Sequence, residues 1–274
     1  MKISNLLYMG ALSTLALMSC TNNDDNSEWY GSEGIVFTTA IQSRVSGNTW
    51  NANDEVGIYM MNAGSGIEAA TAQNKKYIAQ TNGTLTAAPG NGIYLPESGN
   101  VDFIAYYPYS ETISDYKNYP IDLSNQTKQN AIDLMTAVNL TNRQLASPQG
   151  NLQFKHLLAK LVLNLKSTSG SSLKGIKASI SGLQVKGTAN LSDGTITPSG
   201  EATTFSLFIN EEATQAEAIL LPQDLSGKLK IKLEQNGQSK EIETEISGNI
   251  EQGSKYIYNV NVTFFFLFSN SIES

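Results

Sequence analysis

The chain of 274 residues has almost no cysteine or histidine, one of each, Cys20 and His156. A single cysteine excludes an internal disulfide. The shortage of both residues also argues against structural zinc and Cys/His catalysis, which need several such side chains together. Charge is scarce as well: 16 % of residues are charged, against about a quarter in ordinary soluble domains. The balance is acidic, −7 with a pI near 4.8, and no basic stripe exists to neutralise phosphates, so nucleic acid is not expected as a partner. Long Ala/Glu/Lys/Leu stretches are missing, which removes a helical bundle. Nor is the chain short of the β-branched and aromatic residues that disordered segments lack.

What is present is strand material. Hydrophobic residues make up 40 %, and 22 glycines punctuate the chain among Ser, Thr and Asn. Gly34 to Ile41 is β-branched and reads as a strand, and a second strand leads from Trp50 to Met60. Residues 62–76 and 80–92 read as Gly/Asn/Ala-rich loops around a short strand at Tyr77-Ile78. Val101 to Tyr107 is a nearly continuous apolar run, expected to be buried on both faces. Residues 157–166 alternate with a period of two, the signature of a half-buried strand. Tyr256, Tyr258, Val260 and Val262 share one face of a last strand. With no long helix, no βαβ alternation and no repeat of about 20–50 residues, the expectation is all-β: two successive β-sandwiches. The linker is placed at 140–150, which gives domains at 33–148 and 149–263.

The sharpest local inference concerns Gly227 to Ile246. Asn236-Gly237 is a type I′ hairpin signal. A two-residue loop there sets Lys228, Lys230 and Lys232 opposite Glu245, Glu243 and Glu241, and Ile231 opposite Ile242. The register demanded by the turn also sorts charge to one face and apolar residues to the other.

The first residues read as a processing signal rather than structure. Lys2 precedes an apolar run from Leu6 to Met18, too short to span a membrane, which ends in Leu17-Met18-Ser19-Cys20. This resembles a bacterial lipobox, and it makes residues 1–19 a signal peptide and Cys20 the lipid acceptor. Residues 20–32 form an acidic tether.

Signals of catalysis are lacking. His156 has no nucleophile motif around it and reads as structural. Asp54-Glu55 would point to opposite faces of a strand, and residues 51–55 lack the alternating ligands of a calcium loop. No metal or cofactor is expected. Tyr106, Tyr107 and Tyr109, with Tyr116 and Tyr119, form a cluster that either packs or stacks on sugars, packing being the simpler account.

Several stretches, taken in order, resemble the Bacteroidetes fimbrillin family of pilin lipoproteins. They are Phe37…Arg44…Trp50-x3-Asp54-x2-Gly57-Ile58-Tyr59, Val101 to Tyr109, Asp133-Leu134-Met135, Phe154 to Leu161, Leu220-Leu221-Pro222-Gln223 and Gly253 to Tyr258. The resemblance implies two transthyretin-like domains, no enzymatic activity, lipid anchoring to the outer membrane through Cys20, and assembly with other fimbrillin subunits into a surface fimbria that mediates adhesion to a host or bacterial ligand. It further implies cleavage by a trypsin-like, Arg-specific protease after an arginine following the first strand. Here that places the cut at Arg44–Val45, though a solvated loop arginine is the other reading. Loss of that strand, taken as an edge strand, would open a groove opposite Ile35, Phe37 and Ile41, which a strand such as 254–268 of another copy would fill. The tail departs from the family pattern. Phe264 to Phe268 is five apolar residues in a row, either an adhesive donor strand or a frame-shifted end. The competing function is a non-polymerising surface lipoprotein that binds glycans through the tyrosine cluster.

Overall fold

The computed structural model describes residues 30–31, 34–42 and 49–263. Cys20, the segment 43–48 with Arg44 and Val45, and the tail 264–274 lie outside the described residues. The first half contributes β1 (Tyr30–Gly31), β2 (Gly34–Ile35), β3 (Phe37–Gln42), β4 (Glu55–Asn62), β5 (Ala72–Ala79), β6 (Thr84–Ala87), β7 (Val101–Tyr107), β8 (Tyr119–Asp122), β9 (Met135–Ala137) and β10 (Asn151–His156). Seven of them close into a barrel in the order β10-β3-β6-β5-β4-β7-β9. Where a sandwich of two sheets was expected, the hydrogen bonding runs round the ring without a break.

The closure comes from β3. It runs parallel to β10, from Thr38 opposite Asn151 to Gln42 opposite Lys155. On its other side it meets β6 antiparallel at only two positions, Phe37 with Leu85 and Thr38 with Thr84. β3 is therefore no edge strand, contrary to expectation. Inside the barrel, Phe37 packs edge-to-face on Tyr77 at 5.4 Å and on Phe103 at 5.1 Å.

The second half contributes β11 (Ala159–Ser167), β12 (Lys177–Leu183), β13 (Lys186–Ala189), β14 (Ile196–Ser199), β15 (Thr203–Ser206), β16 (Phe208–Ile209), β17 (Gln215–Leu220), β18 (Gln223–Asp224), β19 (Lys230–Gln235), β20 (Gln238–Glu243), β21 (Asn249–Ile250) and β22 (Lys255–Val262). Two four-stranded sheets, β16-β17-β11-β22 and β15-β12-β19-β20, share one core. That core also takes Tyr59, Ile104 and Tyr106 from β4 and β7. Phe103 and Ala105 face the barrel interior, so β7 is buried on both faces, as its apolar run implied.

Strand pairing crosses the division placed at 148/149 in both directions. β10, from beyond it, completes the barrel, while β8, from before it, pairs with β13 in the second half. The chain changes unit at Leu157-Leu158, between β10 and β11. Beyond the strands, the helical pieces among the described residues are single turns at 67–69, 116–118 and 129–131.

The hairpin follows the register read from its turn: Lys230 faces Glu243, Ile231 faces Ile242 and Lys232 faces Glu241. Asn236 and Gly237 take positive φ of 50° and 75°, as a type I′ turn needs. Two local expectations fail. The strand expected at Tyr77-Ile78 is present but begins earlier, the loop assigned to 62–76 holding the first five residues of the eight-residue β5, and the loop assigned to 80–92 contains the four-residue β6; pairing with β4 and with each other overrides their polar composition. And β11 is buried on both faces from Ala159 to Leu163 rather than half-buried, because it lies between β17 and β22 with its second face covered. Lys160 is tolerated there through a 2.8 Å ion pair with Glu217.

Candidate functional site

The first site candidate is the slot that β3 fills. Ile35 and Phe37 are fully buried and Ile41 packs partly against the same core. Gly34 sets up this entry. Its φ of +108° suits glycine, and a Cβ there would lie 2.6 Å from the Ile93 carbonyl oxygen. The Ile35 N–H then donates to that carbonyl at 2.9 Å, and the Tyr77 hydroxyl donates to the Ile35 carbonyl at 3.1 Å. After Gln42 the described chain resumes at Thr49, and Trp50 turns back onto the strand it left. Its indole N–H donates to Thr39 Oγ1 at 2.6 Å, and its ring meets Phe154 and Tyr107 edge-to-face. Asp54 accepts from the Asn51 N–H and the Tyr107 hydroxyl. Gly57, opposite Tyr106 on the neighbouring strand, leaves room for that ring, which a Cβ would strike. Trp50 and Asp54 of the signature are thus the packing at the end of the slot, while Gly57 makes room for Tyr106 on the face turned to the second core.

The tyrosines divide between packing and surface. Tyr106 is fully buried, with its hydroxyl donating to Asn74 Oδ1 at 2.7 Å and its ring edge-to-face on Tyr119. Burial pushes the Tyr106 hydroxyl far above the ordinary tyrosine range. Tyr107 is nearly buried and likewise shifted upward, chiefly by burial, with the nearby Asp54 carboxylate adding to it. Tyr109 is only half-buried. Tyr107 and Tyr109 line a cleft of about 630 Å³ between the end of the barrel and the β16-β17-β11 sheet. Phe208, Glu217 and Lys160 form its opposite wall, and the turn 127–131 its rim.

His156 sits at the junction of the two halves. Its Nδ1 lies 3.0 Å from Asp133 Oδ1 with both side chains buried, while its Nε2 has no hydrogen-bond partner among the described residues. Among the described residues, no group of three or more His, Cys, Asp or Glu side chains is arranged to hold a metal ion. Sequence reasoning missed Phe208, Gln129 and the Lys160–Glu217 pair. Phe208, Gln129 and Glu217 carry no motif, and Lys160, although inside the Phe154 to Leu161 stretch, falls in an alternation that reads as a solvated face.

An all-β chain built on this barrel and sandwich has relatives. Residues 43–272 match the family described as fimbrillin-like, and the chain belongs to that family. A fimbrium subunit of Bacteroides uniformis, Fim1C, is 31 % identical over 275 residues, spanning 94 % of this chain and 90 % of the relative. The crystal structure of a cell adhesion protein from Bacteroides uniformis superposes with a TM-score of 0.73 at 32 % identity, over 83 % of this chain and 92 % of that one. A cell adhesion protein from Bacteroides ovatus shares the fold, with a TM-score of 0.66 at 24 % identity over 82 % and 91 % of the two chains. The family is one of fimbrial subunits, which places the chain among components of cell-surface fimbriae.

Proposed function

We propose that the chain is a lipid-anchored structural or accessory subunit of a surface fimbria that joins other fimbrillin subunits by protease-triggered strand exchange and takes part in adhesion. The observation that carries this reading is β3. It supplies Phe37 and Ile41 to the barrel core, is bonded to β6 at two positions only, and runs directly into the segment that contains Arg44. A cut at Arg44–Val45 leaves β3 held without a covalent link to the rest of the barrel, which begins at Trp50. Its withdrawal frees the backbone groups of β10 and an apolar slot beside Phe103 and Leu152, the two components of β-augmentation. In this reading the barrel and the sandwich are the two transthyretin-like units, Cys20 carries the lipid that holds the subunit at the outer membrane, and the protein has no catalytic role. The donor is the chain beyond Val262, because residues 255–262 are already engaged as β22 along the whole of β11.

Limited digestion tests the reading. Trypsin acting on folded protein lacking residues 1–19 cuts first at Arg44–Val45, where a polar segment joins two packed elements. Nicked protein then binds a peptide copying residues 33–42, which intact protein does not, and mixtures of nicked and intact protein form ladders resistant to sodium dodecyl sulfate. Amino-terminal sequencing that finds the first cut elsewhere, with Arg44→Ala digested at the same rate, removes the mechanism.

A further inference from the structure

We propose that the cleft between the barrel and the second half is a binding site for a neutral saccharide. This goes beyond subunit assembly, because the cleft lies outside the β3 slot, meeting it only through Asp54 and Tyr107 at the slot's end, and exists in the uncut protein. Its volume of about 630 Å³ and its place at a boundary between two units are those of a small-ligand site.

The lining has the mixed character that a sugar ring presents. A pyranose offers an apolar C–H face and a rim of hydroxyls that both donate and accept. Two aromatic rings, Tyr109 and Phe208, stand on the two sides of the cleft, and Phe208 is 38 % exposed, a large apolar surface left in water at the mouth of a cavity. Such faces stack on C–H groups; the Lys76 ammonium stands over the Tyr109 ring at 4.9 Å from its centroid, so the exposed Phe208 ring is the main stacking surface.

The carboxylates are held in place rather than free. Glu217 is tied to Lys160 at 2.8 Å and Glu55 to Lys76 at 3.0 Å, and Asp54 Oδ2 accepts from the Asn51 N–H. Each keeps further acceptor capacity for a hydroxyl, while the adjoining lysines cancel most of the charge. A balanced cleft favours neither an anion nor a cation. Finally, Gln129 on the rim turns a buried side-chain Nε2 that donates to nothing among the described residues. A buried donor without an acceptor calls for a partner, and a turn of the half-buried Gln129 side chain towards the cleft would offer it a sugar hydroxyl or ring oxygen.

The test uses intact, uncut protein lacking residues 1–19 and saturation-transfer nuclear magnetic resonance with the methyl glycosides of glucose, galactose and mannose and with N-acetylglucosamine. At least one is expected to receive saturation, and Phe208→Ala and Gln129→Ala are each expected to weaken its binding about tenfold without moving the melting temperature. Tyr94→Ala, an exposed aromatic outside the cleft, is the control that leaves binding unchanged. Absence of saturation transfer to all four sugars, or binding that survives both cleft variants, overturns the proposal. Neither outcome bears on strand exchange, which is read from nicked protein.

Discussion

Replacing Gln126 by leucine removes a side chain that stands in for a strand. β16 covers the outer edge of β17 only at Ala216 and Glu217, so Ile219 beyond them needs other partners. The Gln126 amide provides them: its oxygen accepts from the Ile219 N–H at 2.8 Å, and its nitrogen donates to the Ile219 carbonyl at 3.1 Å and to the Leu123 carbonyl at 2.8 Å. Gln126 and Ile219 are both buried, so water cannot take over. Leucine matches the volume and leaves three backbone groups under-satisfied. Each such group costs about 1–3 kcal/mol, with carbonyls at the lower end, which gives roughly 3 kcal/mol for the substitution. For a chain of this size, that lowers the melting temperature by about 6–12 °C. Thermal denaturation followed by circular dichroism reads the shift, and hydrogen exchange reads its cause as faster exchange of the Ile219 amide. A shift below about 2 °C with unchanged Ile219 exchange would refute the strand-substitute reasoning.

Gly237→Val destabilises the second half by roughly 1 kcal/mol or more, because a β-branched residue resists the positive φ of the type I′ turn; an unchanged urea midpoint shows the turn to be unimportant. Tyr59 and Tyr119 are pushed up to about 12 from 10.0, chiefly by burial. Since the unfolded chain ionises near the lower value and the folded one resists, the stability these groups lend is complete below pH 10 and drains away between pH 10 and 12. Urea midpoints measured across that window at constant ionic strength fall steadily, and a flat profile contradicts the burial argument. Cys20→Ala releases the protein from the membrane fraction to the soluble fraction, since acyl chains contribute about 0.8 kcal/mol per buried methylene; unchanged partition removes lipidation.

How much of this was legible depended on the range of the signal. The 228–245 hairpin was readable because turn chemistry and charge pattern, two local features, demand one register. β7 was readable from composition alone. β5 was not: Gln73, Asn74, Lys75 and Lys76 look like loop, and Asn74 at a φ of +43° beside a shift of register disguises the strand further. Its identity comes from β4 next to it. Barrel closure was illegible for a different reason. The parallel contact of β3 with β10 joins the two ends of the first unit, and no local pattern encodes a partner so far along the chain. Among site residues, the Trp50/Asp54/Gly57 spacing was recognised as a signature, but its physical content, an indole on Thr39, a carboxylate on Tyr107 and space for Tyr106, needed the neighbouring strands. Gln126 and Gln129 lie in a polar stretch that reads as surface, and only tertiary packing buries Gln126 and the Gln129 side-chain nitrogen.

The closed ring has a consequence for a subunit that must travel alone before it meets another. A ring has no outermost strand, so the barrel offers a stray chain no open sheet edge to zip onto. The second half is not sheathed in this way. Among the described residues nothing lies beyond β20 or β22, and Ile257 on β22 stands 56 % exposed. One guard is visible there: the Lys240 ammonium on β20 reaches the Asn261 carbonyl of β22 at 3.4 Å, setting a charge across the gap between the two open edges. Premature clumping of the lone subunit would therefore begin at this rim and not at the barrel, and Lys240 is the residue that stands in its way.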